Sequence, residues 1–155
     1  MPGNNKHDEF FHQVFSNPEN AADLLRNALP EEVSKIIDYS SIKIENTRLI
    51  DDFFKNSYSD LLVSSKIEGN RCLVYFLVEH KSYPYKFTLF QLLNYIVKLW
   101  NNELRVNEYK ENITLTPVIP IIFSHTEQSW KYQNDLSIYF DKDILKNTAL
   151  KQFIP

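Results

Sequence analysis

From Arg71 to Val78 the chain reads RCLVYFLV, apolar on both faces of an extended strand. Leu73, Tyr75 and Leu77 would point one way, and Cys72, Val74, Phe76 and Val78 the other. A strand with one buried face alternates apolar and polar residues, so a run of this kind belongs in the middle of a sheet covered on both sides. That requirement points to an α/β domain with helices on both faces of the sheet. Residues 59–66 (SDLLVSSK) read as the partner strand. Ile67-Glu68-Gly69-Asn70 between the two reads as a hairpin turn, with Gly69 supplying the positive φ such turns need.

The flanking patterns supply the covering layers. Residues 6–15 place Phe10, Phe11, Val14 and Phe15 at helical spacing. Asn17 is placed to cap a second helix with Pro18 in its first turn and Ala21, Leu24, Leu25 and Ala28 on its apolar face. A third, short helix is expected from Pro30 to about Asp38, with Glu31 and Glu32 at its positive end. Alternation at Ile42 and Ile44 then suggests a short edge strand. Beyond Pro84 a long helix is expected over roughly 86–110. Phe90, Leu93, Val97, Trp100 and Leu104 form its apolar row, with Leu89, Leu92, Ile96 and Leu99 beside it, so most of the helix should be buried. Residues 117–124 (PVIPIIFS) have strand length, although Pro120 removes one ladder donor. A short helix is expected near 142–152, and 1–155 is read as one domain.

Composition narrows the chemistry. The chain has two glycines in 155 residues, Gly3 and Gly69, far apart. Neither the dinucleotide fingerprint nor the phosphate-cradling P-loop can be built from them, because both need several glycines in a short span. No apolar run approaches the ~18 residues needed to span a bilayer, and MPGNNKHDEFF does not read as a signal peptide. With the lone Cys72, expected as a small buried apolar residue, this suggests a cytoplasmic protein without membrane association. The net charge of −3 disfavours binding nucleic acid by a broad basic surface. The positive charge is nevertheless uneven: Lys81, Lys86, Lys98, Arg105 and Lys110 gather mid-chain, and an ordinary solvated helix face is the bland account of them.

The informative point is the end of the central strand, where the apolar run meets Glu79-His80-Lys81. Positions i and i+2 of a strand share a face about 7 Å apart, so Glu79 and Lys81 would point together, and His80 would offer that side its backbone carbonyl. Asp60 opens the partner strand and would sit opposite roughly 77–79. Carboxylate and carbonyl oxygens suit a hard octahedral cation such as Mg²⁺. Lys81 beside it could orient and help deprotonate a water, or stabilise charge on a phosphodiester. A Glu–Lys pair fraying into solvent is the alternative. Gln91, Tyr95, Lys98 and Asn102 add a polar stripe to the following helix, which could equally be a solvent face. His7 and His12, five apart with no cysteine cluster, do not suggest zinc.

The strings S-D-L-L (59–62), Y-F-L-V-E-H-K-S (75–82) and F-Q-L-L-N-Y (90–95), with H-D-E-F-F (7–11) and D-L-L-R (23–26), resemble the recombination-promoting nuclease / putative transposase (Rpn) family, a branch of the PD-(D/E)XK nucleases. The resemblance implies a restriction-endonuclease-like core ordered α-β-β-β-α-β, a mixed sheet flanked by helices. It implies DNA hydrolysis with a divalent metal, usually Mg²⁺, for which Mn²⁺ or Ca²⁺ can substitute. Asp60 and Glu79 would be the metal carboxylates, Lys81 the catalytic lysine, and Gln91 with Tyr95 the helix pair of a Q-x-x-x-Y extension; Tyr95, Lys86 and Lys98 would lie toward DNA. Ser124-His125-Thr126 replaces the family's usual Y-H-G, and Tyr85 stands where an acidic residue is frequent. Family members are commonly longer, which keeps open that 1–155 is the N-terminal part of a larger protein. A homodimer would suit an enzyme that cuts two strands, and a nuclease core that binds DNA or a partner without turnover is the alternative function.

Overall fold

The computed structural model describes residues 6–45, 61–79, 86–124 and 135–151. Helices α1 (Lys6–Phe15), α2 (Pro18–Ala28) and the one-turn α3 (Glu31–Ser34) come first. Strands β1 (Ile37–Ile44), β2 (Leu61–Ile67) and β3 (Asn70–Glu79) follow, then the long helix α4 (Thr88–Val106) and strand β4 (Val118–Ser124). A 3-10 turn at Leu136–Tyr139 precedes α5 (Lys142–Lys146) and α6 (Thr148–Lys151). Among the described residues no helix is long and apolar enough to cross a membrane.

The four strands lie in the order β1-β2-β3-β4, with β1–β2 and β2–β3 antiparallel and β3–β4 parallel. This is a mixed sheet in an α/β fold, consistent with a restriction-endonuclease-like core, and β3 is flanked on both sides as its sequence demands. The β2–β3 register runs unbroken from Leu61↔Phe76 to Ile67↔Asn70. Glu68 and Gly69 close it at φ 49° and 83°. Two consecutive positive φ values match the twist of the flanking strands, which is why a two-residue loop suffices.

Strand parity divides the interior into two cores. On one face Leu61, Val63 and Val74 meet Phe11 of α1 and Ala21, Ala22 and Leu25 of α2. On the other, Leu62 and Leu73 meet Leu92, Tyr95 and Leu99 of α4. Leu73 and Val74, adjacent in β3, enter opposite cores, and this explains the unbroken apolar run. α2 begins as its sequence suggests: the Asn17 side chain accepts the Glu19 N–H at 2.8 Å, and Pro18 occupies the first turn.

Five expectations are corrected. α3 stops at Ser34 because Ile37, a β-branched residue, is drawn into the core as the start of β1, paired with Ile67. β1 is therefore longer than Ile42–Ile44, with a bulge between Asp38 and Lys43. Hydroxyls bridge the interrupted ladder, since Ser41 Oγ donates to Asp38 O at 2.6 Å and accepts the Lys66 N–H at 2.8 Å. The expected C-terminal helix is split at Asn147, whose side chain caps the next turn by accepting from Ala149 N. Finally, α4 is not mostly buried. The row facing the sheet is Thr88, Leu92, Tyr95 and Leu99, while Phe90 and Val97 of the expected row are 60% and 41% exposed. A sheet contacts one stripe of a helix, so two apolar rows cannot both be covered by it. In α2, likewise, Ala28 is exposed and Ala22 takes the buried place.

Candidate active site

The end of the sheet where β3 stops is built by three strands. Glu79 is the last residue of β3 and pairs in parallel with Ser124, the last residue of β4. Leu61 begins β2 opposite Phe76. Asp60 precedes Leu61 in the chain and His80 and Lys81 follow Glu79; these three lie outside the described residues, as does His125. Crevices beside the carboxyl ends of parallel strands are the usual ligand sites of such sheets.

α4 supplies the adjoining wall. Its C-terminal half shares a cavity with Arg71 and Leu73 at the start of β3, so α4 runs back along the sheet and its first turns lie toward the Glu79 end. Gln91 stands there, half-buried, and its Nε2 donates to Tyr95 Oη at 3.2 Å. Tyr95 is only 4% exposed and belongs to the sheet-side core. Lys98 and Asn102 are half-buried, and Asn102 Oδ1 accepts from Arg105 at 2.8 Å. The Gln91-Tyr95-Lys98-Asn102 stripe thus follows the covered flank of α4 and is not a solvent face. Lys86 is exposed, its ammonium 5.6 Å from the centre of the Phe87 ring. Among the described residues no group of three His, Cys, Asp or Glu side chains could hold a metal ion.

A clasp sets the position of β4. Glu103 accepts the Thr116 N–H at 2.9 Å and the Thr116 hydroxyl, and Trp100 Nε1 donates to Thr116 O at 2.8 Å. Pro117 O then accepts the Leu73 N–H at 2.9 Å, the first link of the parallel ladder that ends beside Glu79. Sequence reading passed over Glu103 and Thr116, because partners separated by a loop leave no periodic signal.

The cavity, of about 440 Å³, lies between α4 and the sheet, and Glu45, Arg71, Asn102 and Arg105 are among the residues lining it. Arg71 holds Glu45 at 2.8 Å. Burial alone would raise the Glu45 pKa, but hydrogen bonds from Ser64 and Arg71 and the arginine charge outweigh it and hold the carboxyl below its ordinary value. Arg71 stands eight positions before Glu79, on the order of 26 Å along the strand, so the cavity is distinct from the strand end. Cys72 is buried, and burial pushes its thiol pKa up, which suits an inert core residue.

Comparison with known proteins adds the following. A family model described as putative transposase, YhgA-like, matches residues 5–155. Recombination-promoting nuclease RpnA of Escherichia coli (strain K12) is 34% identical over 123 residues, covering 79% of this chain and 41% of the relative. Recombination-promoting nuclease RpnC of the same strain is 29% identical over 126 residues, 81% of this chain and 41% of the relative. A third protein of that strain, the inactive recombination-promoting nuclease-like protein RpnE, is 28% identical over 123 residues, 79% of this chain and 40% of the relative. The chain therefore spans about two fifths of the length of these relatives. No solved structure gives a significant match.

Proposed function

The chain belongs to the YhgA-like putative transposase family, and from that premise we propose that it is a divalent-metal-dependent DNA endonuclease centred on Asp60, Glu79 and Lys81. The observation that carries the proposal is the end of the β2–β3 ladder. Glu79 closes the central strand, and Leu61, the chain neighbour of Asp60, pairs with Phe76 three residues before it. Two carboxylates and the His80 backbone carbonyl make a hard oxygen donor set that fits Mg²⁺, with Mn²⁺ or Ca²⁺ as substitutes. A bound ion would supply a more acidic water and offset charge on the scissile phosphate.

In this reading Lys81 orients the attacking water and stabilises the negative charge that builds on the phosphodiester. Gln91, oriented by its bond to Tyr95, contacts the water or a phosphate oxygen. Tyr95 is buried, so its part toward DNA runs through Gln91. Lys86 and Lys98 meet the DNA backbone, where cations position the duplex without reading sequence. A cytoplasmic setting goes with DNA as the partner.

One finding favours a second reading: two relatives at 28% identity are named inactive. The same core would then bind DNA or a partner chain without turnover. Plasmid DNA with Mg²⁺ or Mn²⁺ tests both. Nicking by the wild type and a loss of about 100-fold or more in Asp60→Ala and Lys81→Ala are expected. Equal nicking by all three proteins means a contaminant and removes the nuclease reading. Retarded DNA with no nicking by any of them favours the binding module.

A further inference from the structure

The cavity between the C-terminal half of α4 and the sheet has no part in the reading of the Glu79 end. Its volume of about 440 Å³ lies within the range of small-molecule sites. Leu62, Leu73 and Leu99, all buried, supply apolar lining. Beside them stand four charged side chains, Glu45, Arg71, Glu103 and Arg105, so the formal charges cancel. The hydrogen-bonding capacity of the two signs does not.

Both carboxylates are already engaged by the protein. Glu45 accepts from Arg71 at 2.8 Å and from Ser64, and its own N–H donates to Leu62 O at 2.9 Å, which fixes it beside the sheet. Glu103 uses both oxygens on Thr116, one for the N–H and the other for the hydroxyl. The guanidiniums are far from saturated, since each carries five N–H donors. Arg71 reaches Glu45 through a single nitrogen. Arg105 donates to Asn102 Oδ1 at 2.8 Å and has no carboxylate partner among the described residues. What the cavity has left over is therefore cationic donors beside apolar surface. A planar guanidinium fork with spare N–H groups matches a carboxylate or a phosphate.

We propose that this cavity binds a small amphipathic anion, with a carboxylate or phosphate head held by Arg105 and Arg71 and an apolar or planar body lying on Leu62, Leu73 and Leu99. A bare inorganic anion would gain nothing from the leucines. An apolar molecule without a head would displace water from the guanidinium donors and return no hydrogen bond. Arg71 stands at the start of β3 and Arg105 in the last turn of α4, whereas Glu79 closes β3 at its other end. The inference goes beyond the nuclease reading and is independent of it, so either can fail and leave the other standing.

Titration of the 155-residue chain without metal or DNA, followed by methyl nuclear magnetic resonance, tests it. Octanoate and deoxyadenosine 5′-monophosphate carry both head and body, while acetate and inorganic phosphate are heads alone. At least one of the first pair should bind with a sub-millimolar dissociation constant, and its isolated head at least about tenfold more weakly. The methyl signals of Leu73 and Leu99 should move, while those of Leu25 in the opposite core and of the exposed Val97 stay in place. Octanoate alone assigns an aliphatic carboxylate, the nucleotide alone a nucleoside monophosphate, and both together the shared head-and-body chemistry. Arg105→Gln should weaken binding about fivefold or more with unchanged far-ultraviolet circular dichroism. Lys110→Gln, the same loss of charge at an exposed position outside the cavity, should leave binding unchanged. Wild-type protein that shows no saturable binding of either probe below about 1 mM overturns the proposal. So do heads that bind as well as the full probes, and so do shifts that miss Leu73 and Leu99. Equal affinities of wild type and Arg105→Gln, or equal losses in Arg105→Gln and Lys110→Gln, overturn it as well. The probe series and the methyl map need no variant, so a misfolded Arg105→Gln leaves the test intact.

Discussion

α2 and α4 cover opposite faces of one sheet and complete their burial differently. α2 turns Ala21, Ala22 and Leu25 inward and shows Glu19, Asp23, Arg26 and Asn27 to water. Its outer charges pair with each other or lie over a neighbouring ring, as Arg26 does with Asp23 and Tyr39. α4 turns Leu92, Tyr95 and Leu99 inward and still shows Phe90 and Val97 outward. Its side of the sheet also holds an ion pair, Glu45 with Arg71, and the Glu103 hydrogen bonds to Thr116, where the polar contacts of the α2 side are between hydroxyls and neutral partners, Ser34 with Tyr39 and Ser65 with Asp38 O. The α2 face is finished within the chain. The α4 face has a sheet-side flank carrying the bonded pair Gln91 and Tyr95 and an outer side on which Phe90 and Val97 stay exposed, so its apolar surface is only partly covered among the described residues.

Three measurements can break or sharpen this contrast. Leu25→Ala removes a fully buried side chain from the α2 face and should cost about 3 kcal/mol in urea unfolding. A cost below ~1 kcal/mol would mean that the α2 core is as open as the outside of α4.

Acidification should act on the other face. The Glu45 pKa is depressed in the fold, so its stabilising contribution is complete above the ordinary value of 4.5 and is lost as pH falls through the lower folded value. The pair is partly solvated, so the effect is well under ~1 kcal/mol. It should appear as a loss of stability between about pH 5 and 3 that is larger in the wild type than in Glu45→Gln. Identical pH profiles would remove the pair from the account.

The smallest effect is expected at the outer row. Val97→Ala, measured where the chain is monomeric, should shift stability by no more than about 0.5 kcal/mol. A cost like that of Leu25→Ala would show Val97 to be core after all.

Much of the fold was legible because it rests on local rules. Gly69 between two apolar runs announced the hairpin, Asn17-Pro18 announced the start of α2, and RCLVYFLV required a central strand. The candidate site was legible only as a motif. Glu79 does close β3 beside Ser124, while the arrangement of Asp60, His80 and Lys81 lies outside the described residues. What was misread involved a competitor at long range. Ile37 left the expected helix for a place opposite Ile67, and serine hydroxyls bridged a bulge that no alternation could predict.

α4 shows where the division falls. Its length, its helical period and the presence of two apolar rows are properties of the sequence, because they depend on spacing within one segment. Which row meets the sheet is not, since both satisfy the same period. That choice was made by the sheet, where Leu62 and Leu73 receive Leu92, Tyr95 and Leu99, and by the clasp of Glu103 and Trp100 on Thr116. Contacts between distant segments carry free energy that local periodicity does not encode, and here they left Val97 outside.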